Sequence, residues 1–471
     1  MTGTAEESSS TDGSTGERQL PPGPDGWPLL GNTLQLARDP TGFFDRIAAY
    51  GDVVRYEVGR LPFTMVLHPE YVERLLVTDS DLVRKFQFDE FGGNEFAPQG
   101  VLFTDGETWR AQRTMLQDVF TLDRIERYGE TMVEVAAEHA DGWNDGEELT
   151  VNRRFSDLTV DILTRTLFDL DVDGRGQKVT AVARAINERG DPRSISNLFL
   201  PSWVPTPSQR RYDRAMDEFE TLIDELIAER RDADDLRARD DLLSVLLEGE
   251  GPDGYRHSER EIHDQLLTFL FAGHETTSLA LTYTMLLLSR HPDVCDRLHT
   301  EWDEVLGDDD PAPENVPELT YTDRVITESL RLYPPAFAVF RTAVEDIELG
   351  GYLVPEGTNL TIPQFRIHRD ERFYDDPTAF RPDRWTDEFT ETLPEYAYFP
   401  FGGGPRHCIG MRFARMELKL VLPTILRRVS FDLLSDPEPE LAPGATLQPA
   451  TDVRMRTRTN ERPENTQDER A

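Results

Sequence analysis

Only two of the 471 residues are cysteines, and their surroundings differ sharply. Cys408 lies in the run Phe399-Pro400-Phe401-Gly402-Gly403-Gly404-Pro405-Arg406-His407-Cys408-Ile409-Gly410, with the helix-like stretch MRFARMELKLVLPTIL following. Glycines without a Cβ let the backbone approach a flat object closely, and Gly410 removes a side chain two residues past the sulfur. A sulfur at the start of a helix gains amide hydrogen bonds and the helix dipole, which lower a thiol's pKa and favour the thiolate. That is the chemistry of a metal ligand, although a lone cysteine beside a glycine turn is more often a packed thiol. Cys295, in RHPDVCDRL, has no such setting and reads as a packed free thiol.

Three further groups have types and spacings that suit chemistry. Ala272-Gly273-His274-Glu275-Thr276-Thr277 lies in a helical stretch at about 259–290. Ala272 and Thr276, like Gly273 and Thr277, fall on one face at i, i+4. Small walls, a mid-helix glycine and a hydroxyl that diverts helix hydrogen bonds would make a groove for a diatomic ligand. A helix–helix contact built on small residues fits that stretch equally well. Trp109 and Arg113 share a face at i, i+4, and Glu328 and Arg331 pair at i, i+3. Alone, the latter is an ordinary ion pair.

In this order the motifs resemble the cytochrome P-450 family. Phe401 to Gly410 matches its haem signature, Phe-x-x-Gly-x-Arg-x-Cys-x-Gly, and thiolate-ligated haem is the general chemistry of that family. The resemblance implies haem b (iron protoporphyrin IX) with Cys408 as axial ligand, and Phe401, Gly402, Gly410 and Ala272 against it. It also implies Trp109, Arg113, Arg406 and Arg341 at the propionates, whose carboxylates suit guanidinium forks. Phe380-Arg381-Pro382-Asp383-Arg384-Trp385 resembles the segment whose arginine completes a buried triad, here Glu328, Arg331 and Arg384. By the same resemblance Thr276 serves oxygen binding and Glu275 proton delivery. His274 is expected to point away and bond a helix, and His368 has no assignable role.

The implied activity is a monooxygenase that uses O2 and two externally supplied electrons to hydroxylate or epoxidise an apolar substrate of the fatty acid, terpenoid or carotenoid class. The oxygen and cysteine motifs lean toward long-chain substrates. Pocket candidates are Phe86, Phe88, Phe91, Phe96, Leu198, Phe199, Trp203, Phe271, Phe337 and Val339. The rival readings are a peroxide-driven peroxygenase and a haem-thiolate sensor or electron carrier without turnover. No flavin or nicotinamide segment is evident, so electrons from NAD(P)H are expected through a separate ferredoxin and ferredoxin reductase. Arg412 and Arg415, beside Arg406, are candidates for docking that acidic donor.

The elements that must position these residues are helix-rich. The patterning predicts a mainly α fold with a minor β portion, the cytochrome P-450 fold, as a single large haem domain over 20–458. A hairpin is expected at 55–68, helices over about 107–300 with a Pro- and Ser-rich break at 191–209, short strands after 335, and a last helix at about 408–428. Residues 1–19 read as a disordered acidic tail and 459–471 as a charged C-terminal tail. The formal net charge of −39, from 89 acidic and 50 basic residues, disfavours nucleic acid and anionic membranes. Only Lys85, Lys178 and Lys419 are lysines, a composition expected of a halophile's protein. With no signal peptide and no apolar run of eighteen residues, a cytoplasmic monomer without a membrane anchor is expected. The triplet Asn359-Leu360-Thr361 reads as a chance sequon.

Overall fold

The computed structural model describes residues 19–87, 97–169, 176–190, 206–231 and 241–459. The helices that build the site and its frame are α1 (Gly106–Gln117), α2 (Leu122–Asp141), α3 (Val151–Leu167), α4 (Gly176–Gly190), α5 (Pro207–Arg231), α6 (Glu259–Leu288), α7 (Pro292–Leu306), α8 (Thr320–Leu332), α9 (Gln364–Ile367) and α10 (Met411–Leu426). The strands are β1 (Val53–Val58), β2 (Leu61–Val66), β3 (Val83–Lys85), β4 (Glu148–Thr150), β5 (Val339–Ala343), β6 (Ile347–Leu349), β7 (Tyr352–Val354), β8 (Asn359–Ile362), β9 (Val429–Leu433), β10 (Leu441–Pro443), β11 (Leu447–Pro449) and β12 (Arg454–Thr459). The expected mainly α architecture with a minor β portion is what forms. The sequon-like Asn359 is buried in β8, where its side chain accepts a 3.0 Å hydrogen bond from Thr342.

α6 runs through the middle of the helical core and is apolar on most of its circumference, as a helix buried on all sides must be. Its start is fixed by a capping box, in which the Ser258 hydroxyl accepts from the Glu261 amide at 3.2 Å and Glu261 accepts from the Ser258 amide at 2.8 Å. α6 packs against α3, and it also contacts α8 and α10, the helix after Cys408. The helices come close at Gly273, where a Cβ would lie 2.7 Å from Leu163 of α3.

The strands form a second, smaller core. The sheet order is β1-β2-β8-β5-β3, with β2 and β8 parallel and the other pairs antiparallel. Alternation in RYEVGRLPFTMV puts Val54, Tyr56, Phe63 and Met65 into the interior. Phe43 and Phe44 of the helix Pro40–Ile47 meet Tyr56 edge to face and close one side. β3 pairs with β5 so that Lys85 lies opposite Arg341. This register delivers Arg341 to the site from the sheet, while α1 delivers Trp109 and Arg113 from the helices.

The acid excess predicts salt dependence. The Debye length grows from about 3 Å at 1 M to about 30 Å at 0.01 M, so self-repulsion is unscreened at low salt. Thermal melting is expected to fall by many degrees on dialysis from molar to millimolar salt. A melting temperature that did not move would remove the halophile reading of the composition.

Candidate active site

Cys408 is not inside a helix: the first turn of α10 begins at Met411 with Gly410 as its cap. The sulfur therefore sits in the loop just ahead of the helix start. The loop is closed by the Cys408 amide, which donates to the Phe401 carbonyl at 2.9 Å. The Cys408 side chain is accessible although protein surrounds it densely, as the wall of an internal cavity would be. Burial raises the thiol's pKa, and the Gly410 amide and the Arg113 charge oppose that rise. Burial thus outweighs the lowering expected of a sulfur at a helix start. A bound metal ion deprotonates a coordinating thiol outright.

The glycines also divide in a way the sequence did not reveal. Gly404 has φ +64, and a Cβ there would lie 1.8 Å from the Leu76 carbonyl, while a Cβ on Gly403 would meet the Tyr396 ring at 2.3 Å. Both are required for packing within the protein. Gly402, at φ +72, has nothing within 4 Å of its built Cβ, and at Gly410 the nearest atom is Phe120 at 3.9 Å. Only these two leave open space beside the loop.

Three arginines gather beside it. Arg113 is buried, its Nε has no hydrogen-bond partner, and its Nη2 meets His407 Nε2 at 3.3 Å. Arg341 is buried, and among the described residues its side chain makes one hydrogen bond, to the Phe340 carbonyl at 2.8 Å; burial together with the Arg406 charge pushes its pKa down to about 10. Arg406 bonds the Thr104 carbonyl at 2.8 Å and Asp105 at 2.6 Å, and lies 4.4 Å over the Trp109 ring. Three guanidinium charges thus face one carboxylate, Asp105, among the described residues. Among the described residues two positive charges lack a carboxylate partner, and two carboxylates on a flat apolar group would supply it. The residues present fit haem.

On α6, Ala272 and Thr276 are both partly accessible, whereas Thr277 is buried. Thr276 Oγ1 donates to the Ala272 carbonyl at 2.7 Å, the diverted hydrogen bonding that the sequence suggested. Gly273 does not share that groove, since it faces Leu163. Glu275 is turned elsewhere too. Its Oε1 accepts from Asn187 of α4 at 3.0 Å and from Gln448 of β11, and burial raises its pKa to about 7. No hydrogen bond joins it to Thr276. His274 is fully buried and its Nδ1 bonds the Leu270 carbonyl of its own helix, as expected.

The triad forms. Glu328 accepts from Arg331 Nε and Nη2 at 2.8 Å each and from Arg384 Nε at 2.9 Å. The Trp385 indole and the Arg381 amide add two more donors at 2.9 Å. Arg331 continues to the His368 carbonyl at 2.8 Å. His368, left without a role by the sequence, accepts the Phe399 amide at 2.9 Å through Nε2, and Gln364 donates to the Phe399 carbonyl. The two ends of α9 therefore grip the residue that opens the thiolate loop and join it to the triad. A His at i, i+4 from a buried Gln was the only available signal, and it is a weak one.

Of the pocket candidates, Phe337 and Val339 are partly accessible. Phe86 is corrected to the sheet core, where it packs on Phe63 and Phe340, and Phe271 to the helical core. Phe88, Phe91, Phe96, Leu198, Phe199 and Trp203 lie outside the described residues. Arg415 is engaged by Asp323 at 2.7 and 2.8 Å, which weakens its case for docking, while Arg412 is exposed and has no ion pair among the described residues. Among the described residues no helix is long and apolar enough to cross a membrane.

Comparison with known proteins matches residues 21–454 to the family model described as Cytochrome P450. The chain is 35% identical over 411 residues to cyclooctatin synthase of Streptomyces melanosporofaciens, covering 86% of this chain and 88% of that protein. It is 33% identical over 442 residues to pentalenene oxygenase of Streptomyces avermitilis, covering 92% and 95% respectively. The solved structure of retinoic acid-bound cyanobacterial CYP120A1 superposes with a TM-score of 0.83 at 25% identity, covering 94% of this chain and 100% of that one.

Proposed function

The chain belongs to the cytochrome P450 family and is a haem-thiolate monooxygenase, and from that premise we propose that its substrate is a terpenoid. When bound, haem supplies the activation of O2, so that one oxygen atom enters the substrate and the other leaves as water. The observation that supports haem binding is the accessible Cys408 thiol beside three arginines that face only one carboxylate among the described residues. Residues 20–458 form the haem domain in this reading, with Cys408 holding the iron. Arg113, Arg341 and Arg406, with Trp109, hold the propionates, and Phe401, Gly402, Gly410 and Ala272 lie against the ring. Phe337 and Val339 form part of the substrate wall.

Substrate class follows from the relatives. Cyclooctatin synthase and pentalenene oxygenase are terpenoid-modifying enzymes, and their names shift the weight from fatty acids to terpenoids. Thr276 offers a hydroxyl at an accessible position on α6, and Glu275 holds a proton near neutral pH. That pair favours turnover with O2 and external electrons over peroxide. The electrons come from NAD(P)H through a ferredoxin and its reductase, in the cytoplasm, to a monomeric enzyme. Arg412 is the docking cation best placed to meet an acidic donor, because Arg415 is already paired.

The test is a spin-state titration with diterpenes, sesquiterpenes and fatty acids, followed by turnover with ferredoxin and reductase or with peroxide alone. Terpenoid-selective shifts and reductase-dependent product are expected, and fatty-acid shifts alone would overturn the substrate assignment. Thr276→Ala is expected to lower product formation about 10-fold or more while the reductant is still consumed, because losing one positioned hydrogen-bond donor at the reacting oxygen costs roughly 10²–10³. Product yield per reductant, measured beside an unchanged substrate-induced shift, checks it.

A further inference from the structure

The residue before Glu275 is a histidine that nothing so far employs, and its surroundings are unusually determinate. His274 is 0% exposed. Its Nδ1 meets the Leu270 carbonyl, and a carbonyl only accepts, so Nδ1 carries the hydrogen. In the neutral ring Nε2 is then a bare acceptor. It has no hydrogen-bond partner, and Oε2 of Glu275 stands 3.5 Å from it.

The other oxygen of Glu275 is fully engaged. Oε1 takes N–H groups from Asn187 and Gln448, both tied to Thr446: Asn187 Oδ1 accepts from the Thr446 amide at 3.1 Å, and Gln448 Nε2 bonds the Thr446 hydroxyl at 3.0 Å. These contacts hold α4 and the β10–β11 hairpin to α6 and fix the carboxyl plane. Oε2 is the carboxyl oxygen that faces His274, 3.5 Å from its Nε2. A bare imidazole nitrogen and an ionised oxygen would set lone pair against lone pair, whereas one proton between them satisfies both.

We propose that His274 and Glu275 hold one exchangeable proton between them, with His274 Nε2 as its acceptor, which makes His274 a positioning residue for the proton that Glu275 delivers. The inference rests on Glu275 being the proton donor. The two protonic forms, neutral acid with neutral imidazole and carboxylate with imidazolium, carry the same single proton. Burial favours the uncharged one, because separated charges are costly away from water. The shifts agree: burial raises Glu275 to about 7 and lowers His274 to about 4. The charged group facing the pair from α4 is Arg184, which favours the carboxylate; the hairpin presents Thr446 and Gln448, and α3 presents the Thr159 hydroxyl, which bonds the His274 carbonyl at 3.0 Å. The proton is thus held below about pH 7 and lost as pH rises through that value.

The experiment uses the haem-loaded enzyme. The infrared C=O band of protonated Glu275, identified by its loss in Glu275→Gln, is expected at the low frequency of a hydrogen-bonded acid. It should move to that of a free acid in His274→Phe and stay low in His274→Gln, which keeps an acceptor. Product per reductant should fall several-fold in His274→Phe and recover in His274→Gln. An unmoved band in His274→Phe overturns the shared proton. A moved band with unchanged coupling leaves the shared proton standing and overturns Glu275 as the donor. Should His274→Phe lose haem, nitrogen NMR of the unaltered, reduced and CO-bound enzyme with 15N-histidine decides. A hydrogen-bonded Nε2 is expected, and a free, bare Nε2 overturns the proposal.

Discussion

Cys408→Ser is expected to abolish turnover and to remove the thiolate-type band from the CO complex of the reduced protein. Serine is nearly isosteric, but its hydroxyl does not ionise near neutral pH and is a poor ligand for iron. The substitution should leave folding almost untouched, because the Cys408 side chain faces accessible space rather than the packed core. Away from packed features such changes stay within about 0.5 kcal/mol. The measurement is therefore a pair: unfolding by denaturant and the CO difference spectrum. A surviving thiolate band would make Cys295 the ligand. Burial and neighbouring Asp293 and Asp296 argue against that, since they raise its pKa to about 11.

Glu328→Ala is expected to have the largest effect on stability. The carboxylate is 0% exposed and receives five donors, three of them from Arg331 and Arg384. Its removal strands two guanidinium charges in the core. Breaking a buried pair by removing one partner costs roughly 3–5 kcal/mol. A typical domain has only about 5–15 kcal/mol in hand, so poor expression and loss of haem are the expected outcome. Because Arg331 also holds the His368 carbonyl, the damage reaches Phe399 and the thiolate loop. Glu328→Gln keeps the shape but forfeits the charge, and should fall between the two. Urea midpoints and haem content check this, and a loss under about 1 kcal/mol for Glu328→Ala would show that the network does not brace the core.

What could be read from the sequence followed from local chemistry. The haem signature, the triad segments and the Ala272–Thr277 run each occupy a few consecutive residues, and periodicity gave α6 and α10 within a few residues of their ends. Contacts that join distant segments were not legible. Nothing in the chain announces that Asn187 and Gln448 meet at Glu275, or that Gln364 and His368 grip Phe399. Aromatic residues misled for the same reason. Phe86 and Phe271 have the composition of pocket walls, but tertiary packing placed them in the two cores. Arg415 looked free for docking because Asp323, its partner, is 92 residues away.

The four glycines of the thiolate loop sort a mutational library into two populations. Variants at 403 or 404 collide with Tyr396 or with the Leu76 carbonyl, so those clones are expected to be lost as insoluble protein. Among protein atoms, variants at 410 meet only Phe120 at 3.9 Å and keep an ordinary backbone conformation, so they are expected to fold and to act on the haem they would touch. Position 402 lies between, since φ +72 admits asparagine or aspartate more readily than a branched residue. Selection for altered iron chemistry should therefore begin at 410, where the fold imposes least and the sulfur is two residues away.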